Sequence, residues 1–183
     1  FILKNIVVFL YKISFSNVSH IFFQNEADKN LFKKLKILRK DNYSILPGSG
    51  IDTEKYKTTS YPDKNKPTKL IYIGRIIKEK GINELVDSAY LIKKNNLNIK
   101  IELIGECNLS KNDKLYKKFK KSIDDKVILF RDYKYDIDKY IIESHGVILP
   151  SYREGMSHSL LMSAALSRPL IVSDVPGSRE LVM

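Results

Sequence analysis

One short segment of the sequence combines cationic side chains and glycines in a spacing that suits phosphate. Arg75 and Lys80 lie between Gly74 and Gly81, after an apolar run and before an amphipathic one. Glycine lets the backbone approach a ligand closely, and a helix that begins there adds N–H groups and positive potential. The segment predicts a diphosphate site, and it also fits an ordinary basic turn between a strand and a helix.

A second segment, residues 150–159, offers a carboxylate instead. Glu154 precedes Gly155, Met156 and Ser157, whose N–H groups would face an anion at the start of a helix. A carboxylate accepts two hydrogen bonds at fixed geometry and therefore suits sugar hydroxyls better than phosphate. Because an acid at a helix start also favours the helix dipole, the residue types alone leave both interpretations open.

Several familiar site types do not fit the sequence. The Gly-Lys-Ser/Thr end of a P-loop and the Gly-x-Gly-x-x-Gly dinucleotide motif do not occur. The single cysteine, Cys107, excludes a disulfide scaffold, and no Cys/His spacing indicates zinc. No Asp-x-Asp metal motif occurs in the segments described above.

An alternation of strands and helices positions these segments. Strands are predicted over 70–73, 99–104, 127–130, 147–149 and 170–172, with helices over 82–95, 111–123, 136–143, 157–167 and from about 177. Short strands that are apolar on both faces and separated by helices predict a Rossmann-like α/β fold, a parallel sheet with helices on both faces. Since ligands bind at the carboxyl ends of such strands, residues 74–81, 150–159 and 175–180 are expected at one edge.

Upstream of this alternation, the pattern is less regular. It predicts an amphipathic helix over 1–16, a buried strand at 21–23, a second helix up to Leu38, a strand at 43–46 and an exposed connector over 57–69. Since the chain opens on Phe1 rather than methionine, we expect it to be a fragment of a longer protein. Apolar runs end well before the ~18 residues that span a bilayer, and no secretory signal is visible.

Composition sets the limits on the class of protein. The chain has 183 residues, of which 43% are hydrophobic, so it can fold around an ordinary core and is not disordered. The net charge of +11 fits a polyanionic partner. Only six of the 32 basic residues are arginine, the side chain that binds phosphate bidentately. A solvated lysine surface is therefore the preferred explanation of the charge, and a polyanionic partner is the alternative.

Taken in order, these segments resemble the retaining glycosyltransferases of family 4, which have the GT-B architecture of two Rossmann domains. The matching stretches are 73–75 with 80–81, 149–155, and 167–177. Gly48-Ser49-Gly50-Ile51-Asp52 resembles the segment that joins the two domains of that family. The resemblance implies that residues 1–50 are the end of the acceptor domain. It also implies that residues 51–183 are the donor-binding domain, truncated at its carboxyl end.

The resemblance also implies roles for individual residues. Arg75 and Lys80 are expected to bind the donor diphosphate, Glu154 to contact sugar hydroxyls, and the nucleobase to lie near residues 130–133. The predicted binding residues are Gly74, Arg75, Lys80, Gly105, Arg131, Glu154, Gly155, Met156, Ser157, His158 and Met162, with Arg75, Lys80 and Glu154 also catalytic.

Met162 is a departure from the family pattern. The family has a second glutamate eight residues after the first, where it binds ribose, and that position is methionine in this chain. Methionine cannot accept a hydrogen bond of comparable strength. We therefore expect ribose to be bound more loosely and Met162→Glu to tighten nucleotide binding.

As a whole, the resemblance implies retaining transfer from a nucleotide-sugar, UDP-linked first and GDP-mannose second, to a lipid-linked or polysaccharide acceptor. It implies no metal, no nucleic-acid partner, and a cytoplasmic location, at the inner face of the plasma membrane where an anionic surface is a partner. The isolated chain is expected to bind nucleotide without turnover. Two alternatives are a non-enzymatic polyanion or membrane-surface binder, and another GT-B enzyme such as a nucleotide-sugar epimerase or a phosphorylase.

Overall fold

The computed structural model describes residues 2–38, 41–46 and 48–182, so Phe1, Arg39, Lys40, Pro47 and Met183 lie outside the description. The chain forms two compact units, residues 1–50 and residues 51–183. The functions that the sequence assigned to these two parts stay predictions.

The smaller unit contains two helices and a pair of parallel strands. Its elements are α1 (Ile2–Ser14), β1 (Ile21–Phe23), α2 (Glu26–Lys34) and β2 (Tyr43–Ile45). Phe23 is buried and packs edge-on against Phe32 and Tyr43, whereas its neighbour Phe22 is 60% exposed. The predicted strand at 21–23 is thus present but buried only at its end. Among the described residues, no helix is both long enough and apolar enough to cross a membrane.

The larger unit is a five-stranded parallel sheet with its helices in the connections. Its strands are β3 (Thr68–Ile73), β4 (Ile99–Ile104), β5 (Ile128–Arg131), β6 (Gly146–Leu149) and β7 (Leu170–Val172). Its helices are α3 (Ile82–Lys94), α4 (Lys114–Asp124), α5 (Ile137–Ile142) and α6 (His158–Ala165). The strand order is β5-β4-β3-β6-β7. The predicted α/β fold, a parallel sheet with helices on both faces, is confirmed.

The core explains why these segments become strands and helices. Ile71, Tyr72 and Ile73 are all buried, which requires both faces of the central strand β3 to be covered. On α3 the buried residues are Ile82, Leu85, Val86 and Ala89, at the three- and four-residue spacing of one helix face. Burial of this apolar surface against the sheet is the main source of stability.

The structure has two 3-10 turns where the sequence predicted another conformation. The chain after β7 forms a 3-10 turn, Arg179–Leu181, where an α-helix from about residue 177 was expected. Residues Lys78–Lys80 also form a 3-10 turn, inside the segment expected to be a loop. Lys80 is the last residue of this turn, and Gly81 is both its C-cap and the N-cap of α3.

The strand order places the predicted segments next to one another. Because β3 lies between β4 and β6, and β7 lies beside β6, the carboxyl ends of these parallel strands meet at one edge of the sheet. The three loops that follow β3, β6 and β7 are called here the first loop (74–81), the second loop (150–157) and the third loop (173–178).

Candidate functional site

The first loop leaves β3 through a turn that a buried tyrosine stabilises. Tyr72 is fully buried, and its hydroxyl donates a hydrogen bond to the carbonyl oxygen of Arg75 at 2.7 Å. Burial raises the pKa of the Tyr72 phenol, the negative charge of Glu154 adds to the rise, and the positive charge of Arg75 opposes it. The charges of Arg75 and Glu154 therefore both act on the same buried hydroxyl. No sequence motif marks Tyr72, because its apolar neighbours in β3 are those of an ordinary core residue.

The first and second loops are in direct backbone contact. Gly81 has φ +72°, and a Cβ atom there would lie 2.0 Å from the carbonyl oxygen of Pro150. The N–H of Tyr152 donates to the carbonyl oxygen of Glu79 at 2.9 Å. The Tyr152 hydroxyl also donates to the Glu84 carboxylate at 2.6 Å, which lowers the pKa of Glu84. Only glycine at position 81 permits this approach.

The most informative contact of the site joins these two loops. The ammonium nitrogen of Lys80 lies 2.5 Å from Oε1 of Glu154. The Lys80 side chain is 20% exposed and that of Glu154 is 9% exposed. Arg75, by contrast, is exposed at the turn that Tyr72 stabilises. The structure thus brings together Lys80 and Glu154, the residues predicted to meet phosphate and sugar.

The third loop supports the backbone of Glu154. The N–H of Glu154 donates to the carbonyl oxygen of Pro176 at 3.3 Å. Gly177 has φ +84°, and a Cβ atom there would lie 2.4 Å from the carbonyl oxygen of Glu154. The N–H of Gly177 in turn donates to the Glu180 carboxylate at 2.8 Å. Glu154 is therefore positioned by backbone contacts from a loop about twenty residues further along the chain.

The second loop leads into α6, whose amino end faces the same edge. Ser157 is the N-cap residue, yet its side chain makes no capping hydrogen bond. Its hydroxyl instead lies 3.0 Å from that of Ser159. The first-turn N–H groups, which have no partner inside a helix, are therefore not capped by Ser157. They are oriented as in anion sites at helix amino ends, and His158 is exposed beside them.

A pocket of about 310 Å³ opens between the ends of β3 and β4 and the segment after β5. Three predicted residues line it, namely Gly74, Arg75 and Gly105. Tyr133 and Tyr135 also line it, with ring centroids 5.0 Å apart and planes at 87°. Tyr133 lies in the segment predicted to meet a nucleobase, whereas Tyr135 was missed because no motif marks it.

Arg131 takes a different position from the other predicted residues. The Arg131 guanidinium binds the buried carboxylate of Glu102, which Lys69 also contacts at 2.8 Å. The same guanidinium lies 5.5 Å from the ring centre of Tyr140. Arg131, Glu102 and Lys69 border a larger cavity of about 710 Å³ lined by β4, β5 and the end of α3. Ligands of this fold bind at the carboxyl edge, so the smaller pocket is the candidate site. Arg131 contacts a residue of that pocket through its backbone, because its carbonyl oxygen accepts a hydrogen bond from the N–H of Gly105 at 3.1 Å.

Met162 is buried, with 5% of its surface exposed, and belongs to the hydrophobic core under α6. Met162, which stands at the position of the family's ribose-binding glutamate, thus packs in the core. Within residues 2–38, 41–46 and 48–182, no cluster of three or more His, Cys, Asp or Glu could hold a metal ion.

Comparison with known proteins adds to this geometry. Residues 54–183 match the family described as glycosyl transferases group 1. This chain belongs to that family. The matched range contains the first, second and third loops, so the site described above lies entirely within the family's domain.

Two curated glycosyltransferases are similar to this group 1 chain. The Staphylococcus aureus capsular polysaccharide biosynthesis glycosyltransferase CapM is 26% identical over 195 residues, covering 98% of this chain and 50% of the relative. The Campylobacter jejuni N,N'-diacetylbacillosaminyl-diphospho-undecaprenol alpha-1,3-N-acetylgalactosaminyltransferase is 23% identical over 184 residues, covering 94% and 47%. The chain therefore spans about half the length of the curated relatives it matches.

Solved structures show the same fold. Anabaena HepE in complex with UDP-glucose matches with a TM-score of 0.74 and 16% identity, over 91% of this chain and 48% of HepE. TarM, a Staphylococcus aureus protein, matches with a TM-score of 0.69 and 18% identity, over 91% of this chain and 32% of TarM. At such identities the likeness concerns architecture alone.

Proposed function

We propose that this group 1 glycosyltransferase chain binds a nucleotide-diphosphate sugar at the carboxyl edge of its larger sheet, for retaining transfer of the family 4 type. The observation that carries the proposal is the contact between Lys80 and Glu154 at the meeting point of the first and second loops. A cation suited to phosphate and a carboxylate suited to hydroxyls are thereby within reach of one small ligand.

The proposed chemistry is electrostatic. When the bond between the sugar and the diphosphate breaks, negative charge moves onto the diphosphate. Lys80, Arg75 and the first-turn N–H groups of α6 would stabilise that charge, because preorganised donors and cations act strongly on charge that develops in the transition state. Glu154 would orient the sugar through its hydroxyls. The proposal requires no metal ion.

The pocket lined by Tyr133 and Tyr135 is the proposed place of the nucleobase. Aromatic rings offer flat apolar surfaces on which bases stack. Gly74 and Arg75 of the first loop line the same pocket. UDP-sugars are proposed ahead of GDP-mannose. The solved structures of HepE in complex with UDP and with UDP-glucose support this order.

For the whole protein, we propose transfer to a lipid-linked or polysaccharide acceptor in the synthesis of a cell-surface glycan, which the name of CapM supports. We place the protein in the cytoplasm, at the inner face of the plasma membrane. The net charge of +11 supports attraction to that anionic surface.

Calorimetric titration of the chain with UDP, GDP and ADP tests this proposal. We expect UDP to bind most tightly and to be displaced by UDP-glucose. Duplex DNA added as a competing polyanion should leave the UDP affinity within about twofold at 150 mM salt, where non-specific binding is weak. Failure of all three nucleotides to bind would refute the proposal. Strong, salt-sensitive binding of DNA in their place would favour the polyanion-binding alternative.

A further inference from the structure

The contact between Lys80 and Glu154 raises the question of what happens when a ligand arrives. The two side chains belong to different loops, 74 positions apart in the chain, and their charged atoms are 2.5 Å apart. The Tyr72 hydroxyl holds the first loop through the carbonyl oxygen of Arg75, and the N–H of Glu154 holds the second loop through the carbonyl oxygen of Pro176. The two loops also contact each other at Gly81. The pair is therefore built by the fold and not by a chance approach of flexible side chains.

Limited exposure makes this pair different from the surface ion pairs of the protein. The Glu154 side chain is 9% exposed, whereas the exposed pair between Lys57 and Glu54 has side chains that are 71% and 87% exposed. Surface pairs contribute little to stability. Removing one partner of a mostly buried pair is costly, because the remaining charge is left without its donor or acceptor. A ligand that binds Lys80 in place of Glu154 must therefore provide the carboxylate with another hydrogen-bond donor.

The hydroxyl of Tyr72 lies near Glu154 but does not donate a hydrogen bond to its carboxylate. Tyr72 is close enough for the Glu154 charge to raise its pKa further, but its hydroxyl already donates to the carbonyl oxygen of Arg75. If a diphosphate draws Lys80 away, the carboxylate then faces phosphate charge of its own sign. Sugar hydroxyls are donors that can replace the ammonium group.

Building on the proposed function, we propose that Glu154 is a specificity-determining residue that makes the site prefer an intact nucleotide-sugar over the free nucleoside diphosphate. A nucleoside diphosphate competes with Glu154 for Lys80 and offers the carboxylate no donor in return. A nucleotide-sugar provides both partners at once, phosphate for Lys80 and hydroxyls for Glu154. Once the sugar has left, Lys80 returns to Glu154, and this favours release of the nucleoside diphosphate.

Calorimetric titration with UDP, UDP-glucose and UDP-N-acetylglucosamine tests the inference on the 183-residue chain and its Glu154→Gln variant. The parent should bind at least one of the two nucleotide-sugars more tightly than UDP. Glu154→Gln should bind UDP about tenfold more tightly than the parent does, because glutamine has nearly the same shape but no charge to hold Lys80. Its preference for the nucleotide-sugar should correspondingly disappear.

Glu79→Gln is the matched control, since Glu79 is exposed in the same loop and binds the second loop only through its carbonyl oxygen. It removes one negative charge near the site and should change the UDP affinity by less than about twofold, as expected for an exposed charge. An equal gain in Glu79→Gln and Glu154→Gln would overturn the inference, because the effect would then be general electrostatics. Unchanged or weaker UDP binding in a folded Glu154→Gln variant would overturn it too.

The parent chain gives a test that needs no variant. Binding of UDP that is as tight as binding of both nucleotide-sugars would refute the inference while leaving nucleotide binding intact. If the parent binds none of the three compounds, the proposed function itself fails, and the inference fails with it. The two failures are therefore distinguishable.

Discussion

At the scale of single residues, the site depends on side chains whose partners are distant in sequence. Tyr72 looks like a core residue of β3, yet its hydroxyl fixes the backbone of Arg75. Lys80 and Glu154 are both recognisable as candidates from their loops, but their contact depends on how the loops pack. Residue types thus identified Lys80 and Glu154 as candidates, whereas their pairing and the supporting tyrosine could only come from the fold.

Tyr72→Phe should weaken UDP binding without unfolding the protein. The substitution removes one hydrogen bond, worth about 1 kcal/mol, from the turn that contains Arg75. The carbonyl oxygen of Arg75 still accepts a hydrogen bond from the N–H of Ile77, so the turn is weakened but not lost. Titration calorimetry should show an increase of about fivefold in the dissociation constant, the equivalent of that free energy.

The matched control for Tyr72→Phe is Tyr90→Phe, which also removes a single hydroxyl. The Tyr90 hydroxyl, on α3, donates to the carboxylate of Asp125 at the end of α4. Tyr90→Phe should lower the free energy of unfolding slightly and leave UDP binding unchanged. Equal UDP affinities in Tyr72→Phe and the parent would show that the turn does not need the tyrosine.

Met162→Glu should destabilise the larger unit and not tighten UDP binding, contrary to what the family pattern alone suggests. Met162 is 5% exposed within the core, and an unpaired carboxyl group in apolar surroundings costs about 2–4 kcal/mol. Urea unfolding should show this loss for Met162→Glu but a much smaller one for Met162→Leu, which conserves volume. A Met162→Glu variant as stable as the parent would mean that residue 162 reaches solvent or a ligand.

At the scale of elements, the strands were predicted more accurately than the ends of the helices. Buried parallel strands are continuous apolar runs, and β4 and β7 begin and end where the sequence placed them. The helices α2 and α6 end earlier than expected, at Lys34 and Ala165. The residues that follow include Lys36 and Ser167 in the left-handed region, with φ of 53° and 59°. Helices most often end on glycine in that conformation, so lysine and serine gave no signal.

The loops are the elements that make the site, and the contact at Gly81 tests this directly. In Gly81→Ala the new Cβ would collide with the carbonyl oxygen of Pro150 in addition to straining the backbone. We expect a loss of about 3–5 kcal/mol in the free energy of unfolding, together with weaker UDP binding.

Gly50→Ala separates backbone strain from collision. Gly50 has a nearly identical φ of +71°, but nothing lies within 4 Å of a Cβ atom there. It should cost only about 1 kcal/mol, as measured by chemical unfolding. Equal losses in the two alanine variants would argue against close packing of the first and second loops.

At the scale of the whole molecule, the chain consists of two units, and the family match falls entirely within one of them. The proposed ligand site uses residues of the 51–183 unit only. Net charge describes the molecule as a whole and does not indicate where the proposed site lies, because that site involves only a few charges at one sheet edge. The alternation of strands and helices was the global signal that located this edge.

Hydrogen exchange measured by mass spectrometry should reveal this division. A ligand that binds only the folded state stabilises it by about 2.7 kcal/mol at 100 times its dissociation constant. At such a concentration, UDP should slow exchange in β3, β4 and β6 but leave β1 and β2 unchanged. Equal protection of β1 and β2 would place the smaller unit in the binding site.

The most direct test of the central claim is the UDP affinity of Arg75→Ala and Lys80→Ala, measured by calorimetry beside Lys78→Ala. Lys78 is an exposed cation of the same loop, so its removal changes the charge equally without touching the proposed site. We predict that UDP binding weakens at least about tenfold in both site variants, as expected for loss of a charge-assisted bond, and by less than twofold in Lys78→Ala. Equal affinities in the parent, Arg75→Ala and Lys80→Ala would contradict the account.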